Sequence, residues 1–528
     1  MKSPTSNPPK PGSLSGEKLS REIERIRKLS FADDSEEDGA KKQREKALST
    51  LRRTTSKMAA RLDPQQLRLL THCSVKLLIH FRNVVRVKKT LCDWRARVRH
   101  RTAAACFSDL LRLFVPERED EILRAVLDAM RHEDLFGCAD SASELLDALV
   151  AAGVPGFGVL DELWNLVEER GTPSGLAKDV VRSVYGLMDS LDWPRSEETA
   201  LALHRLLGIF RSGIGGRGDG GDSPAPFASL RKGLKVCLQR ALEHLPNEDI
   251  LIAVERMCSW SVEESIRDED VLEFGSSLEY AAFRHESGLF QDTFTPEILR
   301  LLSEMIASPS RLVSLLGNRV TQHLVDRAGN AGIFETPQIF FEDTRYDFKV
   351  ARYSREDKSF LRRYRARLHD SFIKGILNHG AARLNLETSY RTICLLAVEV
   401  PCGFTAAAIV CLVMNLQDLT MERDNLRREV AFHIHATVVA VLSLLCWVHG
   451  AKVFYQYVNK IVMERARWAP HLNPPIQSHY YFAAHHVLWD KPELFFVDWE
   501  ARLLGVPPRL ARLMPRRASS TRRTVSRP

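Results

Sequence analysis

The chain lacks the motifs by which a sequence usually announces a reaction. It contains no HExxH, no GxSxG and no Walker-type phosphate loop, so the signatures of zinc, serine and nucleotide hydrolases are all missing. None of its ten cysteines forms a CxxC pair. Their scatter from Cys73 to Cys446 argues against a disulfide framework and for buried, reduced thiols in a cytosolic protein. The first 30 residues are polar and rich in Pro and Ser, with no apolar run to form a secretory signal. No stretch alternates apolar and polar residues convincingly enough to read as a half-buried strand.

What is present is charge, sorted along the chain. Residues 1–101 carry 25 Lys plus Arg against 11 acids, and residues 502–528 carry eight Arg and no acid, which leaves residues 102–501 at a net −14. Basic ends flanking an acidic body suggest segments that meet an anionic surface, a nucleic acid or the body itself. The stretch 1–60 opens with SPTSNPPKPGSLSG and reads as a disordered tail, because so little apolar surface cannot offset chain entropy. Ser30 follows Arg27 at the spacing of basophilic kinase sites, and Ser35 precedes acids at the spacing of acidophilic ones. Ser519 after Arg516-Arg517 and Ser526 after Arg522-Arg523 are stronger matches, within an Arg/Ser-rich tail at 501–528 that also reads as disordered.

From about Asp63 the apolar residues recur at helical spacing, and between Thr102 and Val325 one short amphipathic helix follows another. Ser141 with Glu144, Ser196, Thr295-Pro296 and Ser308-Pro309 supply start signals, while Gly153, Gly171 and Gly213 supply stops. Short loops between many helices imply stacked hairpins, the arrangement of armadillo and HEAT solenoids, and the resemblance is architectural because no fixed sequence period runs through the chain. A set of multi-helix bundles would satisfy the same periodicity. The fold class expected is therefore all-α, with an N-terminal array over 61–325 interrupted by the glycine-rich loop 212–226, a junction at 326–353 and a C-terminal helical domain at 354–500. The loop holds six glycines within 212–221, but it neither follows a strand nor opens a helix with Lys-Ser/Thr, so it is not a phosphate loop.

Two regions invite a docking role. Arg82, Arg86, Lys88, Lys89, Arg95, Arg97, Arg99 and Arg101 form a basic surface that anionic lipid would attract. Nucleic acid is the weaker reading, since only Trp94 supplies an interleaved aromatic. The second region is the helix expected from Ser354 to Leu377, where Arg362, Arg363, Arg365 and Arg367 leave the apolar face and offer a phosphate-binding or solvated surface.

The runs 400–417 and 430–451 are uncharged and of membrane-spanning length. Arg391 on one side and Lys452, Lys460, Arg465 and Arg467 on the other would suit a transmembrane hairpin. Pro401, His433, His435, His449 and the charged link between the runs favour instead two core helices, 401–423 and 426–465, the second running on past Gly450. The histidines at 471, 479, 485 and 486 lie in an aromatic segment and lack zinc-ligand spacing, so they read as packing residues in a C-terminal cap. The sequence thus points to a non-enzymatic scaffold or adaptor, without cofactor or metal, that binds protein partners and docks at anionic membrane through its basic ends. An integral membrane protein with a hairpin at 400–451 is the alternative.

Overall fold

A computed structural model describes residues 16–32, 37–55, 62–87, 94–214, 227–422, 427–477 and 491–497. Every regular element among them is helical. The chain divides into two compact units, 1–244 and 245–528.

The first unit begins with α1 (Gly16–Ser30), α2 (Glu37–Thr55), α3 (Pro64–Val87) and α4 (Trp94–His132). It continues through α5 (Ala139–Ala151), α6 (Gly156–Glu168), α7 (Ser174–Leu187), α8 (Glu197–Ile214) and α9 (Arg231–His244). Two of these helices lie where the sequence reads as a disordered tail. In α1, Leu19, Ile23 and Ile26 are buried, and in α2, Ala40, Ala47, Leu48 and Leu51 are buried. The apolar residues there are few, but they sit at steps of three, four or seven residues, so each helix still presents one stripe to its neighbours. Arg53 of α2 reaches back to Glu22 of α1 at 3.1 Å. In α4, Pro116 interrupts the helix and Arg118 adopts φ −144°, ψ 45°, because proline supplies no N–H and crowds the preceding turn. Arg118 uses the kink to donate to the Leu62 carbonyl at 2.5 Å. Beyond it, α5, α7 and α9 pack in one row and α6 on α8 in another.

In the second unit come α10 (Asn247–Ser261), α11 (Asp268–Arg284), the single turn α12 (Phe290–Thr293), α13 (Pro296–Ile306) and α14 (Arg311–Val325). They are followed by α15 (Arg355–His379), α16 (Arg383–Glu399), α17 (Gly403–Glu422), α18 (Arg428–His449) and α19 (Lys452–Trp468). Hairpins α10–α11, α13–α14, α15–α16 and α17–α18 stack so that α10, α13, α15 and α17 form one layer and α11, α14, α16 and α18 the other. The start signals have local causes: the hydroxyls of Thr295 and Ser354 accept from the N–H groups of Ile298 and Asp357. The cap at α14 is Ser310 rather than Ser308, and α5 starts after Cys138, with Ser141 inside the helix.

Residues 326–353 are a packed strap within this unit. Gly329 and Pro337 keep most of it non-helical, yet its aromatics find a common partner: Phe348 and Tyr346 lie 4.8 and 5.7 Å from the Trp447 ring of α18. The Phe340 N–H donates to the Ser443 hydroxyl and the Trp447 indole N–H to the Thr344 carbonyl.

The long apolar runs become α17 and α18, both long and apolar enough to cross a membrane by length and composition. Protein encloses α18, with 94% of its most apolar window buried against 67% for α17. Its polar groups are partnered in that interior: His433 with the Gly380 carbonyl at 3.2 Å, His435 with Thr420 at 3.0 Å. A lipid-facing helix would leave such groups unsatisfied, so α18 is a central core helix. The second helix does not run on to 465. Gly450 takes φ +58° and closes α18, with the Ala451 N–H donating to the Cys446 carbonyl, and α19 starts afresh.

Close helix approach depends on glycine at one place in particular. A Cβ on Gly375 would lie 2.5 Å from the Ile306 carbonyl oxygen at the end of α13. Gly375→Ala is therefore expected to lower stability by about 1–3 kcal/mol in urea unfolding, despite the better helix propensity of alanine. Gly208→Ala, in open space on α8, should raise it by about 0.4–1 kcal/mol. Equal effects from the two would show that the approach of α15 to α13 carries no constraint.

Candidate docking surfaces

The basic surface on α3 and α4 is divided between paired and exposed residues. Arg82 lies 2.9 Å from Glu144 of α5, which His100 also approaches at 3.4 Å, and Arg99 lies 2.9 Å from Glu45 of α2. These cations hold helices together. Arg97 and Arg101 are exposed. Arg86 and Arg95 lie on α3 and α4, while Lys88 and Lys89 fall outside the described residues. So do Ser35, Ser519 and Ser526. Ser30 is fully buried at the end of α1, so a kinase would reach it only after that helix is released.

The outer face of α15 is different. Arg362, Arg363, Arg365 and Arg367 are all exposed, and among the described residues none lies within ion-pair distance of a carboxylate. Beside them is an apolar cleft of about 280 Å³ between α15, α16 and α17, floored by Leu368, Phe372, Ile393 and Leu412, with Arg365 and His369 on its rim. The reason is compositional: α17 is apolar nearly all round, and its neighbours cover only part of it, leaving Ala408 and Cys411 half-exposed.

Two buried charged groups shape the second unit from within. Arg327, just past α14, points its guanidinium at Asp357 of α15 (2.9 Å) and Glu399 of α16 (3.1 Å), donates to the Gly288 carbonyl (2.8 Å) and lies 4.3 Å over the Phe290 ring. Glu399 is fully buried and also accepts from the Ala328 N–H at 3.2 Å, while Asp357 accepts from the Phe290 N–H at 2.9 Å. Desolvation raises the Glu399 carboxyl above its ordinary range despite the opposing pull of Arg327. Arg465 of α19 is also fully buried, and no carboxylate faces it among the described residues. Its Nε donates to the Leu494 carbonyl (2.7 Å), and its Nη1 to those of Leu472 (3.1 Å) and His435 (3.2 Å), beside the Phe495 and Phe496 rings. Burial pushes this guanidinium down to about 9.

Nucleophilic and metal chemistry finds little footing among the described residues. No group of three or more His, Cys, Asp or Glu there is placed to hold a metal ion. Burial pushes the Cys73 and Cys237 thiols up to about 12 and Cys106 to about 11, which keeps them protonated and unreactive at neutral pH. Burial, and then the Arg465 charge, hold His435 well below the usual imidazole range. His471 packs 4.4 Å from the Phe432 ring, while His479, His485 and His486 lie outside the described residues.

Stacked two-layer hairpins, without a strand among the described residues, define a helical-repeat protein of the armadillo type. Residues 277–487 match the family described as EFR3, armadillo repeat. The chain is similar to the protein EFR3 homolog cmp44E of Drosophila melanogaster, 24% identical over 193 residues, which covers 35% of this chain and 22% of that protein. Human protein EFR3 homolog B is 22% identical over 176 residues, covering 33% of this chain and 21% of its own length. Human protein EFR3 homolog A is 24% identical over 173 residues, again 33% of this chain and 20% of its own. The chain thus matches about a fifth of the length of these relatives. Among solved structures, an engineered protein aligns over 85% of this chain and 96% of its own at 14% identity, with a TM-score of 0.28 that carries no argument.

Proposed function

We propose that this chain is a non-enzymatic cytoplasmic scaffold or adaptor, which offers the faces of its helical array to protein partners and docks at anionic membrane through its basic ends. The observation that carries this reading is the two-layer stack, which spends its buried groups on holding hairpins together and leaves unpaired cations on the outside. The likeness to the EFR3 armadillo repeat supports it. So do the exposed Arg97 and Arg101 and the eight arginines of residues 502–528. Phosphate on Ser519 and Ser526 would lower the charge of that segment and release it from lipid, an electrostatic switch.

Co-sedimentation of the full chain with vesicles tests the membrane half of this reading. Binding to phosphatidylserine vesicles should exceed binding to neutral vesicles and fall with salt. The variant R97E/R101E lacking residues 502–528 should bind at least about tenfold more weakly, since each basic residue near an anionic surface contributes about 1 kcal/mol. Equal binding to neutral and anionic vesicles would sink it. The scaffold half requires that the full chain be recovered from cells in complexes of defined stoichiometry, and a chain recovered only alone would contradict it.

A further inference from the structure

The cleft between α15 and α17 has an apolar floor with a row of basic residues leading from its rim. On α15, Lys358, Arg362, Arg365 and His369 recur at steps of four, three and four residues, which puts them in one stripe along the helix. The stripe runs about 16 Å at 1.5 Å per residue. Lys358, Arg362 and Arg365 are exposed, and none has a carboxylate within ion-pair distance among the described residues. The apolar floor meets this row at its C-terminal end, where Arg365 and His369 form the rim while Phe372, Phe404, Ala408 and Leu412 line it, and Arg362 and Lys358 continue the row along the same helix beyond the cleft. Exposed apolar surface of this kind marks an interaction site when polar residues border it.

We infer that this groove receives an amphipathic helix of a protein partner, with its apolar stripe on the α17 side and a row of carboxylates facing Lys358, Arg362 and Arg365. The choice of occupant follows from how the charge is distributed. A lipid headgroup concentrates its negative charge at one point and would be met by cations converging at one end of the cleft. Here the cations are spread one per turn along α15, from the rim of the cleft outward, which is the register of Glu or Asp repeating on a second helix laid along it. The polarity also fits, because an acidic helix is complementary to this row and a basic one is repelled by it. This inference rests on the scaffold reading and names the partner class for one of its faces.

The test uses the full chain and a fluorescein-labelled synthetic helix with Leu along one stripe and Glu along the adjacent stripe, read by fluorescence anisotropy. The peptide should bind, with salt weakening it, and R362E/R365E should weaken binding at least about tenfold. A peptide with Lys in place of Glu should bind the wild type poorly and recover binding to R362E/R365E. Ala408→Trp, which fills the cleft without touching the charges, should also reduce binding while circular dichroism and thermal unfolding stay unchanged. Equal binding of the Glu and Lys peptides, no effect of R362E/R365E, or uptake of a fluorescent single-chain anionic lipid in place of the peptide would each overturn the proposal. Failure of the peptide with partner complexes of the full chain intact removes the groove helix alone. A full chain recovered only alone removes the scaffold reading itself.

Discussion

Arg327→Ala should destabilise the second unit by about 3–5 kcal/mol, the scale expected when one partner of a buried ion cluster is removed. The side chain is 20% exposed, whereas its partners Asp357 and Glu399 are 1% and 0% exposed, so the substitution leaves two carboxylates without a cation in a protein interior. It also removes the donor to the Gly288 carbonyl and the cation stacked on Phe290. The loss should depend on pH in a definite direction. Glu399 already has a raised folded pKa in the wild type, so its contribution to stability is fully present below the ordinary carboxylate range and is lost as pH rises through the folded value. Without Arg327 its hydrogen bond and its charge no longer hold the carboxyl down, only the Ala328 N–H still does, and the carboxyl rises further. The deficit of Arg327→Ala, measured by urea unfolding, should therefore be largest at neutral pH and shrink on acidification. Adding Glu399→Gln should recover part of it. A deficit that is constant with pH, or additive with Glu399→Gln, would show that the carboxyl is not what suffers.

Arg465→Ala is expected to have an effect of similar size, about 3–5 kcal/mol, for another reason. No ion pair is broken; three carbonyls, of Leu494, Leu472 and His435, lose their donor together. The His435 carbonyl keeps its partner within α18, but those of Leu494 and Leu472 are left unsatisfied at about 1–3 kcal/mol each, and a cavity forms beneath Phe495 and Phe496. Arg465→Met would restore much of the volume and none of the donors, so it should recover only the packing share. Arg465→Lys should do little better, since a compact ammonium cannot span three carbonyls in the manner of a planar fork. Urea midpoints, with limited proteolysis of residues 469–497, would separate these cases. Equal stability of the Met variant and the wild type would show that the three hydrogen bonds contribute nothing net.

These two arginines also mark where sequence reading stops. Arg327 meets Asp357 and Glu399 across 30 and 72 residues, and nothing local in the chain pairs them. Arg465, read along the sequence, is one more flanking cation after an apolar run, yet its side chain is fully buried. The sequence cannot show this, because helical spacing says which face is apolar and not what lies over it. What is encoded locally was legible: the all-α class, the Thr295 and Ser354 caps, the positive-φ stops at Gly153 and Gly171, and the arginine face of α15. The helices α1 and α2 are hidden in the sequence because polar composition masks the spacing of their few apolar residues. The strap reads as a junction in the sequence because its glycines and proline are local, while its partner Trp447 is some hundred residues away.

That strap changes how the second unit should come apart. In a stack of hairpins each repeat senses only its neighbours, so opening can begin at one end and travel repeat by repeat. The strap follows the end of α14 at Val325 and fastens onto α18 through Phe340, Thr344 and Phe348, although the hairpin α15–α16 lies between α14 and α18 in the stack. The coupling is therefore no longer one-dimensional. A fluctuation that frees α18 must also release the strap that α14 leads into, which merges the last three hairpins into one cooperative block whose amides share a single opening energy.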